Sequence, residues 1–130
     1  MNDYLDALRN LMESDPALNG SVFVADVAAD APERYVVLFP SLEYDADALT
    51  GPQSDHDFRL RVHSVGSTPE QALLVAGKVA AAVLNKRPNI PGRNSSRIRH
   101  IFAEPIRYDS SLSPRVYFAA DEFAVRTTKE

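Results

Sequence analysis

Residues 57–88 read DFRLRVHSVGSTPEQALLVAGKVAAAVLNKRP. Phe58, Leu60 and Val62 alternate with Arg59, Arg61 and His63, the period-two pattern of a strand with one buried face. Val65-Gly66-Ser67 turns the chain. Thr68-Pro69-Glu70-Gln71 then starts a helix: Thr68 as N-cap, Pro69 in the first turn, and Gln71 where a capping box places Glu or Gln. The helix is expected to run to about Lys86, with Lys86 and Arg87 at its negative end and Pro88 as its stop. Its polar stripe is narrow, set by Gln71, Lys78 and Asn85. Leu73, Ala76, Ala80 and Leu84 form one flank, and Ala72, Val75, Val79 and Val83 the other. A helix apolar nearly all round is normally buried, yet a single sheet covers only one side. The remaining cover is expected from the first helix or from a second subunit, and the alanines allow a neighbouring backbone to approach closely.

Working outward, Asn2 is placed to cap a helix over about Asp3–Glu13. Tyr4, Leu5, Leu8, Leu11 and Met12 recur three and four apart along it. Asp15-Pro16 and Asn19-Gly20 break that pattern. Strands are expected at Ser21–Val27 and Tyr35–Phe39, joined as a loose hairpin through Pro32. Residues 40–56 lack periodicity and form an expected irregular, acidic loop. After a polar loop at Asn89–Ser96, a strand is expected at Arg97–Tyr108. Ile98, His100 and Phe102 share one side of it, and Pro105 marks a bulge or an edge. A last strand covers Arg115–Arg126 with a bulge near Asp121, and residues 127–130 form a frayed tail.

A chain of 130 residues reads most simply as one domain, 1–130, large enough for a core without staples. It has no cysteine, so disulfides, thiolate chemistry and cysteine zinc sites are excluded. No run approaches the roughly 20 apolar residues of a membrane span. The N-terminal residues lack the basic and apolar regions of a secretory signal, so a cytosolic place of synthesis is expected. Charge is divided unevenly. Residues 1–58 hold 12 acidic and 2 basic side chains, and residues 59–130 hold 6 and 12. Such a division fits a nucleic-acid surface, or two halves that attract each other within a fold or between copies. The basic residues are spread along strands, which favours the second reading.

Candidate chemistry is sparse. The acidic cluster Asp45, Asp47, Asp55 and Asp57, with His56 among it, could offer oxygen ligands for calcium or magnesium, but EF-hand spacing is absent and a solvated loop is the better explanation. His63 and His100 stand singly on strands. No serine sits in a nucleophile elbow. Gly66-Ser67-Thr68 precedes a helix N-terminus, a natural anion site, without the lysine and glycines of a phosphate loop. Arg59, Arg61, Arg97, Arg99, Arg107 and Arg115 suit a phosphate-facing sheet, a solvated sheet face, or the acidic residues of an adjacent copy. Aromatic interleaving for base stacking is limited to Tyr108 and Tyr117. No catalytic, cofactor or metal residue is assigned.

The order of elements, and above all the strand FRLRVHSVG followed by STPEQALLVAGKVAAAVL, resembles the tail terminator (tail completion) proteins of long-tailed bacteriophages, those of actinobacteriophages in particular. The resemblance covers nearly the whole chain, with its specific part at Phe58–Leu84. It implies an α+β fold: a mostly antiparallel β-sheet of about four to five strands, with a short N-terminal helix and one long helix packed on it. It implies a non-enzymatic virion protein without cofactor. Such a protein forms a homo-oligomeric ring, usually a hexamer, at the head-proximal end of the tail. There it binds the major tail tube protein, stops polymerisation and offers a surface to the head–tail connector protein, while DNA passes through the lumen. Asp45, Asp47, Asp55, Arg59, Arg61, Ala76, Ala80, Arg97 and Arg99 are the residues expected at subunit or partner contacts. A head–tail connector or neck ring, and a small metal- or ligand-binding α+β domain, are the alternatives.

Overall fold

The computed structural model describes residues 2–25, 33–44, 55–109 and 116–129. In chain order they form α1 (Asn2–Glu13), β1 (Val22–Val24), β2 (Tyr35–Tyr44), β3 (Asp55–Gly66), α2 (Pro69–Val83), β4 (Arg93–Ser95), β5 (Arg99–Asp109) and β6 (Val116–Lys129). The fold is α+β: two helices and a six-stranded, mostly antiparallel sheet. Strand order is β1-β2-β3-β6. On the far side of β6, β5 pairs with its first part and β4 with its end.

The alternation in residues 57–63 decides which face is which. Phe58, Leu60 and Val62 are fully buried beneath the helices. Across the register Leu38 pairs with Val62, Phe58 with Val125 and Leu60 with Phe123. All point to the same side, as directly opposed residues must. Ala72, Val75, Val79 and Val83 of α2, and Tyr4, Leu8 and Met12 of α1, close this core from above. Each large apolar side chain buried there contributes roughly 1.5–3 kcal/mol. α2 lies over β3 and β6, and α1 packs beside α2 and reaches β1. Arg59, Arg61 and His63 project from the opposite, helix-free face.

Gly66 sets how closely α2 can start. A Cβ there would lie 2.6 Å from Gln71 Cβ and 2.7 Å from the Ala72 nitrogen, so only glycine lets the first helical turn rest on the strand end. Thr68 caps as expected, its hydroxyl accepting from the Gln71 N–H at 3.2 Å. The reciprocal bond falls one residue earlier than a standard capping box: Gln71 Oε1 accepts from the N–H of Ser67 at 3.0 Å and from its hydroxyl at 2.6 Å.

Several sequence expectations are corrected. The hairpin between the first two strands is not one, because β1 and β2 run parallel, with Val22 beside Val36. β1 has three residues and spans only about 10 Å, so a short link suffices to carry the chain back. α2 ends at Val83 rather than Lys86. Leu84 is already extended and Asn85 takes a positive φ of 62°, a left-handed stop that asparagine tolerates. Lys86 and Arg87 therefore lie beyond the helix. Ile98 holds this exit in place: its carbonyl accepts from Asn85 N–H at 3.1 Å and its N–H donates to Lys86 at 2.8 Å.

The expected irregular span 40–56 is strand at both ends, since β2 continues to Tyr44 and β3 begins at Asp55; residues 45–54 lie outside the described residues. The expected loop at 89–96 contains β4 and a buried Ile90. The bulges fall on β5, between His100 and Phe102 and between Glu104 and Arg107 around Pro105, whereas β6 passes Asp121 in unbroken register with β3. The first bulge separates His100, opposite Phe123, from Phe102, opposite Glu122, so the two do not share a face.

Residues 127–129 are not frayed. Thr127 is fully buried, and its hydroxyl meets Tyr4 Oη at 2.8 Å and accepts from Arg93 Nε at 3.1 Å. Tyr4 Oη also pairs with His56 Nδ1. This polar cluster ties the first helix, β3, β4 and the last strand together, which is why the final turn of sequence stays in the sheet.

Candidate assembly surfaces

The helix-free face carries rows of side chains fixed by the register. Arg59 and Arg99 both stand opposite Ala124, on either side of β6. Arg61 pairs with Glu104, which also takes Arg107. Arg59 lies 3.4 Å from Asp57. A second row is aromatic. His63 is 4.9 Å from the Phe39 ring on one side and 4.9 Å from the Phe118 ring, in stacked geometry, on the other. The Arg107 guanidinium covers Phe118 at 5.5 Å, within cation–π range. Four strands are thus linked by one line of side chains, Phe39–His63–Phe118–Arg107.

That setting holds the His63 pKa below the ordinary imidazole value. Burial between the rings is the main cause, and the Arg61 and Arg107 guanidinia add to it against an opposing pull from Glu104. Neutral His63 serves as a stacking member of the row. On the same sheet, burial and then the Asp109 carboxylate raise the Tyr35 phenol above its usual value. Neither shift creates a reactive group beside a nucleophile.

On the helical side, the surface of α2 turned away from the core is apolar. Leu73 is 58% and Leu74 49% exposed, with Gly77 and Ala81 one and two turns further along, also exposed. The second uncovered apolar surface is β5, exposed along most of its length. Ile101, Phe102 (45% exposed) and Tyr108 (54%) stand out from it.

Of the residues expected at contacts, Arg59, Arg61 and Arg99 are brought together on the helix-free face, and Arg97 is exposed just before β5. Ala76 and Ala80 are half-buried on α2, while its most exposed apolar residues are Leu73 and Leu74. Asp55 opens β3 at the opposite end from Gly66. Asp45 and Asp47 lie outside the described residues. Among the described residues no group of three His, Asp or Glu is arranged to hold a metal ion, and no helix is long and apolar enough to cross a membrane. The shallow groove beside α1, about 370 Å³, is lined by Ala7, Asn10, Leu11, Ser14, Pro88 and Asn89 with Arg87 as its one charge, a poor set for acid–base work.

Sequence reasoning missed three features. The β5 surface was hidden because its alternation is broken by two bulges. The Phe39–His63–Phe118–Arg107 row was hidden because Phe39, His63 and Phe118 meet diagonally across strands and Arg107 faces Phe118 only in the register set by the bulges of β5. The Tyr4–Thr127 bond joins residues 123 apart, and the only local signal was a threonine pair in an apparently polar tail.

Uncovered apolar surfaces on a rigid helix-and-sheet body define a scaffold that works through contacts. The comparisons specify it. Residues 6–116 match the model of the Tail completion protein gp17 family, and the chain belongs to that family. It is a structural, non-enzymatic family, and the protein is a structural component of phage-like virion tails. The fold is that of a solved chain described as the virion of native gene transfer agent (GTA) particle, with a TM-score of 0.76 and 15% identity over 95% of this chain and 92% of that one. A second solved chain, of no stated function, aligns with a TM-score of 0.60 and 15% identity over 99% and 93%. No curated protein matches the sequence.

Proposed function

We propose that this tail completion protein assembles as a closed homo-oligomeric ring, of six copies, on the head-proximal end of a finished tail tube. The ring binds the last ring of the major tail tube protein, stops further polymerisation and presents a surface for the head–tail connector protein. DNA passes through its lumen without sequence-specific contacts. Assembly takes place in the host cytoplasm. The observation that carries this reading is the family match over residues 6–116. The uncovered apolar surfaces of α2 and β5 support it, because a solvated monomer gains nothing from exposing leucine, isoleucine and phenylalanine on regular elements.

The test is tube capping. Purified tail-tube protein polymerised with this protein is expected to give tubes of limited length, with a ring at one end by negative-stain microscopy and a hexamer mass by native mass spectrometry. Tubes that grow unchanged, with no ring bound, would overturn the proposal. Binding to purified heads but not to tubes would move the protein to the head side of the joint, as a connector or neck ring.

A further inference from the structure

We draw no further inference here: the strongest candidate, the small groove between α2 and the start of β2 where Leu74 and Val75 meet Arg34 and Lys78, carries nothing, because its apolar wall and two cations select no single occupant and nothing in the structure shows what covers it.

Discussion

Gly66→Ala and Gly77→Ala together test whether the packing of α2 has been read correctly. The same substitution is made twice, with opposite expected signs. At Gly66 the new methyl would sit 2.6 Å from Gln71 Cβ, 2.7 Å from the Ala72 nitrogen and 2.9 Å from the Gln71 carbonyl carbon. Ordinary contact begins near 3.4 Å, so β3 and the first turn of α2 must separate by several tenths of an ångström or more. Two of the three crowded atoms are backbone and cannot rotate away. Overpacking of this kind costs about 1–3 kcal/mol, partly offset by roughly 0.4–1 kcal/mol from the lower entropy of an unfolded chain with alanine. The net expectation is a loss of about 1–2 kcal/mol. At Gly77 a Cβ meets nothing within 4 Å and the residue sits mid-helix, so alanine should stabilise by roughly 0.5–1 kcal/mol. Urea unfolding at a protein concentration that keeps the chain monomeric measures both, through midpoints at constant slope. A Gly66→Ala variant as stable as wild type, or stabilised as Gly77→Ala is expected to be, would refute the close approach of α2 to the strand end. Ring assays on the Gly77 variant add a second reading: a monomer made more stable but poorer at assembly would locate the outer face of α2 within a contact.

Three further outcomes are expected. His63 titrates near 6.5 in the unfolded chain and lower in the fold. Between those two values the unfolded state binds more protons, and stability rises with pH. Its contribution should be complete above about pH 6.5 and lost as pH falls through the folded pKa; His63→Phe should flatten that part of the urea-midpoint profile, and an unchanged slope would remove His63 as its source. Thr127→Val deprives Tyr4 Oη and Arg93 Nε of a buried partner and should destabilise by about 1–3 kcal/mol in the same unfolding assay, whereas a truly frayed tail would show no change. Ala80→Leu, on the half-buried flank of α2, should cost roughly 1–3 kcal/mol through overpacking, while Leu73→Ser on the exposed face should change monomer stability by no more than about 0.5 kcal/mol yet weaken ring formation on native mass spectrometry.

Much of the scaffold was legible because its signals are local. The alternation Phe58–Leu60–Val62 against Arg59–Arg61–His63 named the strand and both of its faces. Thr68, Pro69 and Gln71 marked the start of α2, and its flank Ala72–Val75–Val79–Val83 proved to be the buried one. The errors share a cause. Pro32 signals a turn but not whether the chain returns beside its own strand or runs back to start a parallel one. Pro88 signals that no helix continues through it, but Asn85 stops α2 earlier, because Ile98 offers the Asn85 N–H and the Lys86 carbonyl a better arrangement than another helical turn.

The amino-acid sequence by itself determined the types of both helices and of the central strand β3, the inward face of β3 and α2, the absence of thiol chemistry and the surplus of apolar surface on a helix. Those properties follow from side-chain period, caps and composition, which act over a few residues. Only the tertiary structure decided which charges remain available. Arg61, reaching across β6 from β3, and Arg107 on β5 meet on the shared carboxylate of Glu104, whereas Arg97 and Arg99, in the same basic half of the chain, pair with no described residue. It also decided that residues 127–129 belong to the sheet, through a threonine held by Tyr4 and Arg93. Such pairings depend on register and on bulges, which no local pattern encodes, because they are fixed by the simultaneous packing of strands distant in sequence.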